Sequence, residues 1–162
     1  MATLVIIRGN SGSGKTSLAD ALQAHFGSAE CLVLHQDVVR RELLHANDQA
    51  WTPAVALLAD LIRFGEAHYS LVIVEGILRR DVYGEMLHQV VSTWSGPVLT
   101  YYLDVPFATC ATHNAQRFDV ATLKRWWRPN DVLTASDIRL SQRDITRVLA
   151  DLKQLESRMN GQ

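Results

Sequence analysis

Long apolar runs are missing from this 162-residue chain, and no stretch approaches the roughly 20 residues that a membrane helix requires. The opening Met1-Ala2-Thr3 has neither the charged region nor the cleavage site of a secretory signal. Cysteine is scarce. Cys31 and Cys110 share no metal-type spacing and read as two reduced thiols. Six histidines are scattered without metal-ligand spacing, which argues against a histidine metal centre. Charge of one sign is lacking too. A net charge of −1 gives no overall attraction for nucleic acid or for an anionic membrane, although local basic patches remain open. Repeats, low-complexity stretches and Pro/Gly/Ser linkers are absent. What these absences leave is one cytoplasmic globular domain, long enough to bury its own core.

What is present is a regular alternation. Residues 3–8, 31–35, 71–74 and 98–103 are short apolar runs that read as buried strands, and 137–140 can form a fifth. Between them lie amphipathic segments at 15–26, 38–45, from Pro53 onward, 81–94, 106–117 and 119–128, with a last helix capped by Ser141. Apolar strands alternating with helices predict an α/β fold: a three-layer sandwich around a five-stranded parallel sheet.

The strongest local signal is Gly9-Asn10-Ser11-Gly12-Ser13-Gly14-Lys15-Thr16, which satisfies G-x-x-x-x-G-K-[ST] at every fixed position. Glycines let successive backbone N–H groups turn toward a polyphosphate, and the following helix aims its positive end at the same anion. Gly9 to Thr16, with Ser17, are therefore the nucleotide-binding candidates. Lys15 reaches the outer phosphates, and Thr16 offers a hydroxyl to Mg2+. No N-K-x-D segment is present to read guanine, so ATP is the expected nucleotide.

His35-Gln36-Asp37-Val38-Val39-Arg40-Arg41 follows the second strand, and ligands of open α/β sheets sit beyond the carboxyl ends of strands. Asp37 can there take the proton of a hydroxyl nucleophile. Arg40, at i+3 on an α-helix, shares its face and can hold a substrate oxygen or the moving phosphoryl group. The alternative is that Asp37 caps the helix and Arg40 is a solvated charge. Glu75 ends the third strand and can order the metal or bind the acceptor. Trp51, Tyr69, Arg79, Arg80 and Tyr83 are candidates to line an acceptor pocket.

The phosphate loop followed by D-x-x-R resembles the P-loop kinase group that includes polynucleotide 5′-kinases, zeta-toxin-type kinases and chloramphenicol phosphotransferase-like enzymes. Residues 4–16, 36–44, 72–78 and Trp126-Trp127 also resemble a set of small bacterial proteins described only as kinases. The resemblance implies a nucleoside-monophosphate-kinase-like fold with strand order 2-3-1-4-5, and it gives Asp37 the role of acceptor base and Arg40 that of the motif arginine. Glu75 departs from the Asp found at comparable strand ends. Kinases of this group close an arginine-bearing lid over the phosphates. The candidate lid is a mobile segment at about 113–129 within a single 1–162 domain, with Arg117 and Arg125 as catalytic candidates and Arg128 as a further nucleotide contact. One of Trp126 and Trp127 should pack inward. The expected activity is transfer of a phosphoryl group from ATP, with Mg2+, to a hydroxyl of a small molecule such as a nucleoside, sugar or antibiotic. A polynucleotide 5′-hydroxyl kinase and a regulatory ATPase are the alternatives. The near-zero net charge and the lack of an aromatic-basic groove argue against the first of them.

Overall fold

A computed structural model describes residues 1–161. The strands are β1 (Thr3–Gly9), β2 (Cys31–His35), β3 (Leu71–Gly76), β4 (Val98–Leu103) and β5 (Ile138–Leu140). They form one sheet in the order β2-β3-β1-β4-β5, with every pairing parallel, as the resemblance implies. The helices are α1 (Lys15–Phe26), α2 (Pro53–His68), α3 (Arg80–Thr93), α4 (Phe107–Asn114), α5 (Val120–Trp126) and α6 (Ile145–Asn160). None of them is long and apolar enough to cross a membrane.

The pleat of β1 explains the three layers. Successive side chains leave a strand on opposite faces. Leu4 and Ile6 meet Leu58 and Ile62 of α2 and Tyr83 and Leu87 of α3. Val5 and Ile7 meet Leu18 and Leu22 of α1, Cys110 of α4, and Val148 and Leu152 of α6. All four β1 residues are fully buried, and each such side chain contributes roughly 1.5–3 kcal/mol of transfer free energy.

Two elements differ from the sequence expectation. The segment after β2 is a π-helix, Val38–Leu43, not an α-helix. Its winding shows in the bond from the Leu44 N–H to the Val39 carbonyl, five residues back. The last helix starts at Ile145 with Asp144 as its cap, accepting from the Arg147 N–H at 3.0 Å. Ser141 is therefore not a cap. It belongs to a free loop beyond β5.

Arg8, the last side chain of β1 before the glycine, is 1 % exposed. Its guanidinium donates to the Leu78 carbonyl at 3.1 and 2.8 Å, to the Asp131 carbonyl at 2.6 Å and to the Asp131 carboxylate at 3.0 Å. Burial pushes its pKa down and Asp131 pulls it back up. The ion pair ties the central strand to the loop after β3 and to the chain beyond α5. Breaking one partner of such a buried pair strands a charge, which is why it is held by four bonds.

Candidate active site

The loop between β1 and α1 wraps an open space. Gly12 has φ 79° and Gly14 has φ 99°, values that side-chain-bearing residues rarely adopt. Gly12 also leaves no room for a Cβ, which would fall 2.7 Å from the Cys110 carbonyl. Helix α4 is thus seated directly on the loop. His113 Nδ1 lies 2.7 Å from the Gly12 carbonyl and donates to it, and Ser11 Oγ donates to Asn114 at 3.3 Å. A cavity of about 660 Å³ opens beside the loop, lined by Gly12 to Ser17, Val105, Pro106, Thr109, His113, Arg117 and the Ser141-Gln142-Arg143 loop. Those last three residues were not among the sequence candidates. Their position beyond the carboxyl end of β5 was the signal that could have found them.

Lys15 is buried, and its ammonium donates to the Asn10 carbonyl at 2.8 Å and to Ser13 Oγ at 3.4 Å. Burial lowers its pKa, and the nearby Glu75 and Asp37 charges oppose that shift. Thr16 Oγ1 donates to Glu75 Oε1 at 3.1 Å, and His35 Nδ1 approaches the same oxygen at 2.7 Å. The bond to Glu75 is the main reason the His35 pKa rises, with burial working against it. His35 and Thr16 therefore together orient the Glu75 carboxylate. Among the described residues no cluster of three or more His, Cys, Asp or Glu side chains can hold a metal ion. A hydroxyl and a carboxylate side by side nevertheless suit Mg2+, which takes few protein oxygens and completes its shell with phosphate and water. Thr16 and Glu75 fit that ion.

A second, smaller cavity of about 100 Å³ adjoins the first. Its walls are Ser11, Gly12, Lys15, Thr16, Asp37, Arg41, Glu75, Gly76, Ile77, Arg117, Phe118 and Trp126. Asp37, Glu75 and Arg117 thus line one cavity with the phosphate loop. Asp37 starts the π-helix without any side-chain capping bond, so the capping alternative does not hold. Arg40 is not at the cavity wall. Its side chain is 11 % exposed, donates to the Ala46 carbonyl at 3.1 Å and to Asp37 at 3.3 Å, and approaches Asp48 at 3.8 Å. Arg41, the next residue of the π-helix, stands at the small cavity instead, with its Nε 3.9 Å from Asp37 Oδ1.

The segment 113–129 splits into two kinds of residue. Arg117 borders both cavities, and its guanidinium lies 5.3 Å from the Phe118 ring centroid. Arg125 is exposed, donates to Thr122 at 3.2 Å and lines neither cavity. Arg128 meets the loop through its backbone: its N–H donates to Asn10 Oδ1 and its carbonyl accepts from Asn10 Nδ2, both at 2.9 Å. The Asn10 side chain is therefore turned toward this segment. Trp127 packs against Phe107 on the core, whereas Trp126 is 42 % exposed and reaches the small cavity. Trp51, Tyr69, Arg79, Arg80 and Tyr83 line neither cavity. Trp51 is 98 % exposed, and Tyr83 is in the core.

Known structures share this architecture. A gluconokinase from Sinorhizobium meliloti 1021 superposes with a TM-score of 0.66 at 13% identity, covering 98% of this chain and 95% of that one. The APS kinase of Mycobacterium tuberculosis, solved with AMPPNP and APS, gives 0.65 at 19% identity over 96% and 98%. A sugar kinase from Janibacter sp. HTCC2649 gives 0.63 at 18% identity over 94% and 95%. At these identities the likeness is one of fold. No curated protein matches the sequence significantly. Residues 4–135, most of the chain, match the AAA domain family. The chain belongs to that AAA domain family, and its fold is that of the P-loop kinases.

Proposed function

We propose that the protein is a kinase that moves the γ-phosphoryl group of ATP to a hydroxyl of a small molecule. The observation that carries this reading is the pair of adjoining cavities, which share Gly12, Lys15, Thr16 and Arg117. The larger one has the backbone amides and helix N-terminus suited to a polyphosphate. The smaller one holds a carboxylate, Asp37, suited to a hydroxyl. The solved structures of similar fold include a gluconokinase, an APS kinase and a sugar kinase, all small-molecule kinases by name.

In this reading Lys15 leaves the Asn10 carbonyl for the outer phosphates, which offset the cost of burying its charge. Asp37 aligns the acceptor hydroxyl and receives its proton. The acceptor oxygen bonds to the γ-phosphorus while the bond to the β,γ-bridging oxygen breaks, and ADP leaves with that electron pair. Arg117, at the junction, stabilises charge spread over the moving group. Arg40 holds Asp37 in position. Bound Mg2+ would neutralise phosphate charge, with Thr16 and Glu75 as its protein oxygens. The segment 113–129 acts as the lid, with Arg117 at the reacting group and Arg125 outside it. Trp126 and Phe118 exclude water.

Lys15→Ala tests the nucleotide half. The variant should fold, lose most ATP affinity by isothermal titration, and show no acceptor-dependent ADP release in a metabolite and antibiotic screen. Wild-type affinity and turnover in this variant would end the proposal.

A further inference from the structure

The small cavity is lined by three cationic and two anionic side chains. Its wall carries Lys15, Arg41 and Arg117 against Asp37 and Glu75. Four of these five have partners or tasks already described. Lys15 holds the loop, Glu75 accepts from Thr16 and His35, Asp37 accepts from Arg40, and Arg117 spans the two cavities. Arg41 is the remainder. Its closest carboxylate is Asp37 Oδ1 at 3.9 Å, longer than a hydrogen bond. Its side chain is 49 % exposed, so its planar fork of N–H groups can reorient into the cavity.

Arg40 is tied to Asp37 at 3.3 Å and to the Ala46 carbonyl at 3.1 Å and lines neither cavity, whereas Arg41 lines the small cavity beside the same carboxylate, which faces the hydroxyl in the kinase reading. An oxyanion held by Arg41 would therefore sit within a few bonds of the hydroxyl held by Asp37. Ile77, Phe118 and Trp126 supply the apolar part of the lining, and the small volume excludes bulky acceptors.

We propose that Arg41 is the acceptor-recognition residue and that the acceptor is a compact hydroxylated anion, an alcohol carrying a carboxylate, phosphate or sulfate near the reacting hydroxyl. This inference rests on the kinase reading above. The guanidinium makes a bidentate, charge-assisted pair with the oxyanion, while Arg117 serves the transferred phosphoryl group. The acid group fixes which hydroxyl meets Asp37.

The test compares charged and neutral acceptors of matched shape: glycerate and glycerol 3-phosphate against glycerol, and gluconate against glucitol. Acceptor-dependent ADP release and calorimetric binding in the presence of AMPPNP are both read. The expected result is that at least one acid binds and is phosphorylated while its neutral partner is not. Arg41→Gln should then raise the KM for that acid roughly ten- to hundredfold, with the KM for ATP unchanged. Arg41→Lys should keep part of the preference. Preferred turnover of a neutral alcohol, or no binding of any of these acids by wild-type protein that binds AMPPNP, would overturn the inference and leave the kinase reading standing. So would an Arg41→Gln loss that falls on kcat and on the ATP KM whatever the acceptor, since that would assign the residue to the phosphates. Failure of wild-type protein to bind AMPPNP at all would instead overturn the kinase reading itself.

Discussion

The two cavities that meet at Lys15 are built by different means. The larger one is organised by backbone, a glycine-rich turn whose left-handed residues and helix start shape one side of the space, with α4 and the loop beyond β5 on the others. The smaller one is made of side chains brought from the π-helix, from β3 and from the segment after α4. A backbone-built site tolerates side-chain change at its variable positions and fails when the turn is lost. A side-chain-built site can change what it recognises by one substitution while the fold stays in place.

Replacement of Asp37 should break the comparison most sharply. Asp37→Asn keeps the shape and removes the charge. It should cost on the order of 10²–10⁴ in acceptor-dependent kcat while ATP affinity by calorimetry stays at the wild-type value. The melting temperature should move by only a few degrees, because the pairs to Arg40 and Arg41 involve a half-exposed carboxylate and such pairs contribute about 0–1 kcal/mol each. Wild-type turnover in this variant would make the small cavity incidental.

The next effect separates two arginines of one segment. Arg117→Gln should lower kcat on the order of 10²–10³ and raise the ATP KM much less. Arg125→Gln should leave both constants within about twofold, because an exposed arginine that lines neither cavity is an ordinary surface charge. Steady-state kinetics on the two variants side by side decides it, and equal losses would mean that the segment closes further than the present contacts suggest.

The smallest effect lies in the frame that both halves share. Burial pushes the Cys31 thiol on β2 up to about 11 from an ordinary 9.0. A pKa raised in the folded state means that the native protein keeps a proton which the unfolded chain releases. Stability is then unaffected below about pH 9 and falls as pH rises from 9 toward 11. Chemical denaturation at pH 8 and at pH 10 should show this loss, and Cys31→Ala should reduce it. An identical pH dependence in the variant would show that other groups carry the loss.

The same division explains what could be read from residues alone. The phosphate loop was legible because its function demands a fixed backbone pattern, and the sheet was legible because strands buried on both faces are apolar throughout. The segment after β2 was misread as an α-helix, since the choice between four- and five-residue winding leaves no mark in Val38 to Leu43. Arg40 keeps its expected contact with Asp37, but the neighbouring Arg41 is the arginine that lines the cavity. Ser141 and Asp144 are equally good caps by residue type. Only packing decides that the helix starts at the later one and frees Arg143 for the nucleotide side. Arg8 at the end of an apolar strand gave no hint that it would be fully buried, because its partners Leu78 and Asp131 are distant in sequence.

One contact couples the halves. Asn10 grips both backbone groups of Arg128 from inside the phosphate loop. Residue 10 is thus a point of thermodynamic linkage. Whatever factor the docking of segment 113–129 adds to polyphosphate affinity, a bound polyphosphate must return to the docking of that segment.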